Sequence, residues 1–548
     1  MRMPGRFCGR ALRGTMTAHS LASRPVDPVQ TARKRLGYKN SWSRREVADE
    51  EQHTWAHPMP DKPLVAIVGG GLSGLACANE LAALGIRSVV FDTGKHSVGG
   101  RLATRASRDA SLKPYPPARP PSRPGVAPAA KSTTQTTRLD LASAGLMFDH
   151  AAQFFTATDP RFKALVASWE DAGIVHPWLG PLGTLTASPQ PTPAAAAAAA
   201  ARGEMGPGGA ANGAKGQSVK VRWTPLVLGQ GAGAAYVGSQ GMRGIAQHMA
   251  QQLTRRRPDL VEVRRPVWVS SMRPLPSAGG WQLQGEGRPQ GIFDFVVVAH
   301  NGKCANRLVG PAGAPRVARQ LMSLRLNAVW VLLVAFRQPL DPGFEGAFIQ
   351  GCPLLSWAAS NTRKLELRHT PPGLDCWTLV STAQYGARNK VPQEAVPEDV
   401  QDKVSSELLA ALARHLGHPG SPAALPEVVY SRCQLWGAAL PLNSPGVECI
   451  VDPWSRTGCC GDWLLGSSMQ DAAVSGIAMA RRIAALRGVP MDTGLEQHAL
   501  GLQNAAARPV GGPSCNDIGA FPGVTLAAHL TPRDAAGRAP AVALAVKH

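Results

Sequence analysis

The stretch "VAIVGGGLSGL" (residues 65–75), continued by "VVFD" (89–92), decides how this chain is read. "PLVAIVG" is a short apolar strand, and "SGLACANELAALG" is an apolar helix that ends at Gly85. Gly69-x-Gly71-x-x-Gly74 sits between them, and Asp92 closes the next strand 23 residues after Gly69. The first glycine permits the turn, the second lets a phosphate approach the backbone, and the third lets the helix pack on the strand. Amide N–H groups at the helix start, around Leu72 and Ser73, bind a pyrophosphate, and Asp92 takes the ribose hydroxyls. Strand, turn, helix and acid together predict a dinucleotide site.

That motif alone does not separate NAD(P) from FAD, and the distinguishing features lie outside it. Gly99-Gly100-Arg101 follows the second strand closely enough to bring a guanidinium and a flexible backbone back over the cofactor. Far along the chain, "CCGDWLLGSSMQDAAVSGIAMARRI" places Gly461-Asp462 at a strand end before the last helix. An acid there can hydrogen-bond a ribityl hydroxyl. The helix behind it can turn its positive end toward the N1–C2=O edge of a flavin. NAD has no ribityl chain and needs no such second site.

Composition narrows the partners. The formal charge of +21 over 548 residues would ordinarily suggest nucleic acid or an anionic membrane, so its distribution matters. Residues 1–45 hold eleven Lys/Arg against Asp27, residues 105–138 seven against Asp109, and residues 188–220 three against Glu204. These segments carry eighteen of the 21 charges, which leaves the remainder near neutral and argues against a nucleic-acid groove. The Arg- and Ser-rich, acid-poor leader lacks the apolar core of a secretory signal and reads as an organellar transit peptide. The longest apolar run, "NAVWVLLVAF" (327–336), is strand-length, so no transmembrane segment is predicted. Ten cysteines make no disulfide scaffold here. With neither CxxC nor HExxH, the sequence predicts no metal site, and the adjacent Cys459–Cys460 read as small packing residues beside a turn.

Two segments, 105–139 (Pro-, Ser- and Arg-rich) and 187–217 (an alanine run, then Gly-rich), bury too little to offset ordering entropy and are expected as disordered insertions. The rest alternates strand and helix. The expected fold is α/β: a Rossmann-type FAD-binding domain of glutathione-reductase or amine-oxidase kind, with an inserted antiparallel-sheet substrate domain. The FAD domain takes 62–104, 140–150, 236–305 and 445–490, and the substrate domain takes 151–186 and 306–444. Residues 1–60 are assigned to the leader and 505–548 to an irregular tail, although "DIGAFPG" within it could be a structured end.

At these motifs the chain resembles the flavin-dependent amine oxidase superfamily and, more narrowly, renalase-type FAD oxidoreductases of plant and algal form. "VFDTGKHSVGGRLATR" is similar to the segment carrying their acid and GGR. "FDHAAQFFTATDPRF" (148–162) resembles their D-x-G-A-Q-Y-x-T strand, with His150 standing where relatives have a small residue. "YVGSQGMRGIAQHMA" is similar to their return helix, and "RCQLWGAALP" to a CQ-x-W strand on the substrate side. The resemblance implies FAD as resident cofactor, a Gln153-Phe154 backbone running beside the flavin, and adenine contacts near Val267. It also implies hydride transfer to flavin N5 from a reduced nicotinamide nucleotide or its isomer, with O2 as reoxidant and H2O2 as product. A lysine near N5 would be Lys303 or Lys364, and the plant-like form favours a chloroplast address, with the mitochondrion as alternative. For the substrate pocket the sequence points to Trp436, Trp357 and Asn361, each on or beside a strand of the middle domain. An amine or polyene oxidoreductase, or a non-catalytic flavoprotein, are the competing readings. Oligomeric state is not encoded in any motif.

Overall fold

A computed structural model describes residues 27–35, 51–106, 145–187, 221–366 except 230 and 301, 373–418 except 394, and 421–526 except 493, 504–506, 512–514 and 525. The expected disordered insertions, from 107 and from 188 onward, and most of the expected leader lie outside these residues.

The apolar run at 64–68 does form a strand, Leu64–Val68, buried on both sides at the centre of a six-stranded sheet. Its neighbours are Arg87–Phe91 and Phe295–Val298, flanked by Val261–Arg264 on one side and Thr457–Cys459 on the other. These five strands run parallel; only the edge strand Ile450–Asp452 is antiparallel. Near-continuous Val and Ile are what a parallel sheet covered on both faces demands. Helices Leu72–Ala83 and Met469–Ala485 cover one face, where Val65, Ile67, Val90 and Val297 meet Leu81, Met479 and Ile483. The helices Gly302–Val309 and Pro315–Met322, which straddle the expected domain boundary at 305/306, cover the other face beside Val68, Val296 and Val298.

The two helices on the first face cross at Gly476. A Cβ there would lie 2.1 Å from the Ser73 carbonyl oxygen, which is backbone and cannot yield. Gly476→Val should therefore cost at least about 1–3 kcal/mol in urea unfolding, with the glycine turn displaced as well. A midpoint equal to the parent's would mean that the helices do not cross this closely.

The second sheet has seven strands in the order Val428–Trp436, Val329–Phe336, Asp375–Ser381, Leu355–Ser360, Gly346–Gln350, Leu182–Ala187, Val221–Pro225. All neighbours are antiparallel except Gly346–Gln350 with Leu182–Ala187. The apolar run noted at 327–336 is its second strand, buried at all eight positions because both faces are covered. Trp330, Leu332, Val334 and Phe336 turn toward helix Glu398–His415, while Val329, Val331, Leu333 and Ala335 turn toward Phe148 and Phe154. A three-stranded antiparallel sheet, Val269–Leu275, Gly280–Gly285 and Arg288–Phe293, completes the main layers.

Two boundary expectations are corrected. Residues 27–35 and 51–60 are part of the fold rather than of a loose leader. Val29 is buried in the second core, Trp55 donates its indole N–H to Ser455 O at 3.0 Å, and Met59 packs with the first sheet. Likewise the stretch after 505 is not all irregular tail. Phe521 stacks on Phe154 with centroids 4.1 Å apart and planes 9° from parallel, and Thr156 Oγ1 donates to Pro522 O. In both cases isolated aromatic or apolar residues in polar sequence gave no periodic signal to read.

Candidate dinucleotide site

The glycine turn is assembled by packing at two of its positions and open at the third. Gly69 has φ +123°, and a Cβ there would fall 2.8 Å from Ala299 O. Gly74 would place a Cβ 2.0 Å from Gly69 O, so only glycine lets the helix sit on the strand. At Gly71 the nearest atom to a Cβ would be Gly99 O at 4.0 Å. The middle glycine thus faces free space, as an approaching phosphate requires. Leu72 and Ser73 open the helix, both buried, and Ser73 Oγ lies 3.4 Å from Ala299 O.

Asp92 ends its strand beside this turn. Its Oδ2 accepts from the Gly70 N–H (2.9 Å) and its Oδ1 from the Gly94 N–H (2.7 Å). Each oxygen keeps a further lone pair for a ribose hydroxyl. Val267 lies against Asp92, donating its N–H to Asp92 O at 2.8 Å. The Val267 N–H is thereby engaged, and the residue falls just after the strand Val261–Arg264 rather than in it.

The two motifs that distinguish a flavin site meet directly. Gly99 and Gly100 adopt positive φ, +130° and +54°, and the chain at Gly99 bridges back to Gly71. Arg101 then forms a bidentate pair with Asp462, 2.7 Å from Nη1 to Oδ2 and 2.5 Å from Nη2 to Oδ1, across a separation of 361 residues. A second bond runs from Nη1 to Ala439 O at 3.1 Å. Burial alone would lower the guanidinium pKa, but the Asp462 charge and hydrogen bonds outweigh it and raise it. Gly461 donates its N–H to Ser475 Oγ at 2.9 Å, which ties the acid to the last helix. That helix is capped by Ser468 in a reciprocal capping box with Asp471.

The Gln153-Phe154 segment crosses between the sheets. Trp357 donates to Gln153 Oε1 at 3.2 Å, and Gln153 Nε2 donates to Asp149 O and Ala151 O. Phe154 is 2% exposed, in a cluster with Trp178, Phe348, Trp357 and Phe521.

Of the three residues expected in a substrate pocket, two are not on any surface. Trp357 is fully buried in that aromatic cluster. Asn361 is also fully buried, accepting from the Asp149 N–H at 3.0 Å and donating to Thr378 Oγ1 at 2.8 Å. Trp357 faces core because its strand, Leu355–Ser360, lies in a sheet covered on both faces, and Asn361, the first residue of the short helix Asn361–Lys364, is tied between Asp149 and Thr378. Trp436 remains half-exposed; its indole donates to His150 O at 2.7 Å and stacks on the His150 ring.

The lysine candidates separate as well. Lys303 lies in helix Gly302–Val309, its side chain outside the described residues. Lys364 is wholly buried, 2.8 Å from Asp149 Oδ2 and 3.2 Å from Gln153 O. Asp149 also accepts from Met242 N–H (2.9 Å) and Thr104 Oγ1 (2.5 Å). Nothing in the sequence marks this hub, because Lys364 stands in the polar stretch "NTRKLELR" (361–368), far along the chain from Asp149. Cys459 and Cys460 are buried, and burial raises both thiol pKa values, so they are packing residues.

His150 is a buried neutral imidazole. Burial first, then the charges of Arg105, Arg432 and Arg243, pushes its pKa down to about 3. The unfolded chain, with an ordinary histidine, takes up a proton below about 6.5 that the fold refuses. Stability should therefore fall as pH drops from about 6.5 toward 3. His150→Asn should show a shallower fall in acid unfolding titrations; identical slopes would mean that His150 protonates freely in the fold.

Comparison with known proteins places this geometry. Residues 67–118 match the family described as NAD(P)-binding Rossmann-like domain. Among solved structures the chain is similar to cyclohexylamine oxidase from Brevibacterium oxydans IH-35A, at 13% identity and TM-score 0.47, covering 77% of this chain and 99% of that one. It is similar also to putrescine oxidase bound to putrescine, at 14% identity and TM-score 0.45 over 77% and 98% of the two chains. Reduced UDP-galactopyranose mutase aligns at 10% identity and TM-score 0.46 over 80% and 97%. The fold and the matched segment define a Rossmann-like dinucleotide-binding domain joined to a large, mainly antiparallel sheet. At such identities and scores the solved structures carry no argument about chemistry, which is read from the site's own residues.

Proposed function

We propose that this chain is an FAD-dependent oxidoreductase that takes hydride from a reduced nicotinamide nucleotide or an isomer of it. The observation that carries the reading is the Arg101–Asp462 pair. It joins the loop after the second strand to the turn between the strand Thr457–Cys459 and the last helix, a second site that a nicotinamide coenzyme has no use for. The residues fit the group. Gly71 leaves room for pyrophosphate, Asp92 keeps lone pairs for ribose, and Asp462 stands at the glycine-lined strand end where a ribityl chain would lie. When bound, FAD would supply the two-electron acceptor at N5, with O2 accepting those electrons to give H2O2. The protein's part is to hold the donor, exclude water and keep the flavin in place.

Flavin released on denaturation tests the cofactor. Anaerobic mixing with reduced nicotinamide isomers should bleach the absorbance at about 450 nm, and amines should not. Bleaching by amines alone would establish an amine oxidase, whereas no bleaching with any reductant would make this a non-catalytic flavoprotein. A colourless protein releasing no flavin would overturn the reading.

We further propose that the basic, acid-poor first 26 residues direct the chain to the chloroplast, with the mitochondrion as alternative. A fluorescent fusion of those residues that stays in the cytosol would refute the assignment.

A further inference from the structure

The turn that carries Asp462 also carries a side chain with an unmade hydrogen bond. Residues Asp462–Leu464 wind into one short helical turn just after the strand Thr457–Cys459. Each Asp462 carboxylate oxygen takes one N–H from Arg101 and keeps a further lone pair. Trp463, the next residue, is 3% exposed, and its indole Nε1 is buried with no acceptor in reach. The buried indoles of Trp55, Trp281, Trp330, Trp357 and Trp377 all find one: Ser455 O for the first two, then Asn389 O, Gln153 Oε1 and Asp375 Oδ2. An indole nitrogen is a donor only, so no tautomer or rotor can satisfy it. A donor left unmade in a dry interior loses its hydration and gains nothing, which is why buried polar atoms are nearly always paired.

Gly461 shows where the indole edge lies. A Cβ on that residue would fall 2.7 Å from both Nε1 and Cδ1 of Trp463. The N–H edge therefore fills the space a side chain at 461 would take, at the C-terminal end of its strand. The Cys460 N–H bonds to Val298 O, so this end lies level with that of the neighbouring strand Phe295–Val298. One strand further on is Leu64–Val68, where a Cβ on Gly69 would meet Ala299 O. Three adjacent strands thus end on one rim, with the glycine turn at one side and the Asp462–Trp463 turn at the other. In an open parallel sheet that rim is where ligands bind. The turn is held in place from behind, since Gly461 donates its N–H to Ser475 Oγ in helix Met469–Ala485. The indole itself belongs to the core that contains Val298, Ala305, Ile450 and Leu464, which fixes the ring.

We propose that Trp463 is a cofactor-holding residue whose indole N–H donates to an oxygen of the ribityl-phosphate stretch of FAD. The assignment rests on the flavin reading above and adds a residue to it. A fixed donor without an acceptor, on the rim where the cofactor lies, calls for a ligand rich in acceptor oxygens, and that stretch carries hydroxyl and phosphate oxygens in succession. The two neighbours divide the task by chemistry. Asp462 can only accept, so it meets a hydroxyl; Trp463 can only donate, so it meets an oxygen lone pair that the carboxylate would repel.

The test replaces Trp463 with β-(3-benzothienyl)alanine, which keeps the fused ring and puts sulfur where the N–H stood. Flavin-loaded protein is serially diluted, and released FAD is read by its fluorescence. The isostere should raise the FAD dissociation constant roughly 3- to 30-fold, as the loss of one hydrogen bond to a neutral or charged oxygen requires. Trp463→Phe should weaken binding at least as much, because it also leaves space beside Gly461. Parent-like affinity in the isostere would overturn the proposal even where the phenylalanine variant is weakened, since ring packing alone would then account for that loss. If Trp463→Phe fails to fold, the isostere decides. The parent's own flavin separates this assignment from the reading beneath it. A parent that binds FAD as tightly as the isostere does loses only the role of Trp463, whereas a parent that releases no flavin on denaturation overturns the proposed function and this role with it.

Discussion

Replacing Lys364 with methionine is expected to lower the unfolding free energy by about 3–5 kcal/mol, read as an earlier urea midpoint. The substitution preserves most of the side-chain volume and removes only the charge. It leaves the Asp149 carboxylate, wholly buried, without the ammonium 2.8 Å away. Two neutral donors remain, Thr104 Oγ1 and the Met242 N–H, which do not balance a full charge in a dry site. Adding Asp149→Asn to the same protein should recover part of the loss, because it removes the orphaned charge while keeping an acceptor for those donors. A loss under about 1 kcal/mol in the single variant would mean that water reaches the pair. The hub ties the antiparallel strand pair Thr104–Ala106 and Met147–Asp149 to the start of helix Arg243–Arg256 and, through Asn361 and Thr378, to the seven-stranded sheet. Its disruption should also loosen the Gln153 backbone, to which Lys364 donates.

Asp462→Ala is expected to reduce flavin affinity by roughly 10- to 100-fold, the equivalent of about 1.5–3 kcal/mol for charge-assisted hydrogen bonds lost. Two effects act together. The variant removes the carboxylate proposed to meet the ribityl chain, and it releases Arg101, which is half-exposed and held over the turn by that carboxylate. Asp462→Asn separates them, because the amide still accepts one bond from Arg101 without drawing it in by charge. Flavin content per chain after gel filtration is the measurement. Unchanged content in the alanine variant would remove Asp462 from the cofactor site and leave the pair as a fold contact.

The glycine turn was legible because each of its requirements is local. A short apolar strand, three glycines at fixed spacing and an acid on the next strand are all set by contacts within about one supersecondary unit. Gly69 and Gly74 take the roles their spacing implies, and Asp92 stands where its position in the strand places it. The substrate-side residues were not legible in the same way. Trp357 and Asn361 lie on or next to a strand, and a strand states its alternation but not which layer covers each face. Once both faces of the sheet are covered, Trp357 is core and Asn361 is a buried hydrogen-bond tie. Trp436 stays only partly buried because it ends the edge strand, where it stacks on His150 at the margin of the core.

By itself, then, the sequence determined the α/β class, the nucleotide turn and the identity of the two motif pairs, since short-range periodicity and glycine chemistry encode them. Only the tertiary structure decided that Arg101 and Asp462 touch, that Lys364 pairs with Asp149, and that Trp436 stacks on His150. Each of these depends on residues from strands and helices hundreds of positions apart. Burial in a common low-dielectric interior, absent from any local pattern, is what makes their charges matter to one another.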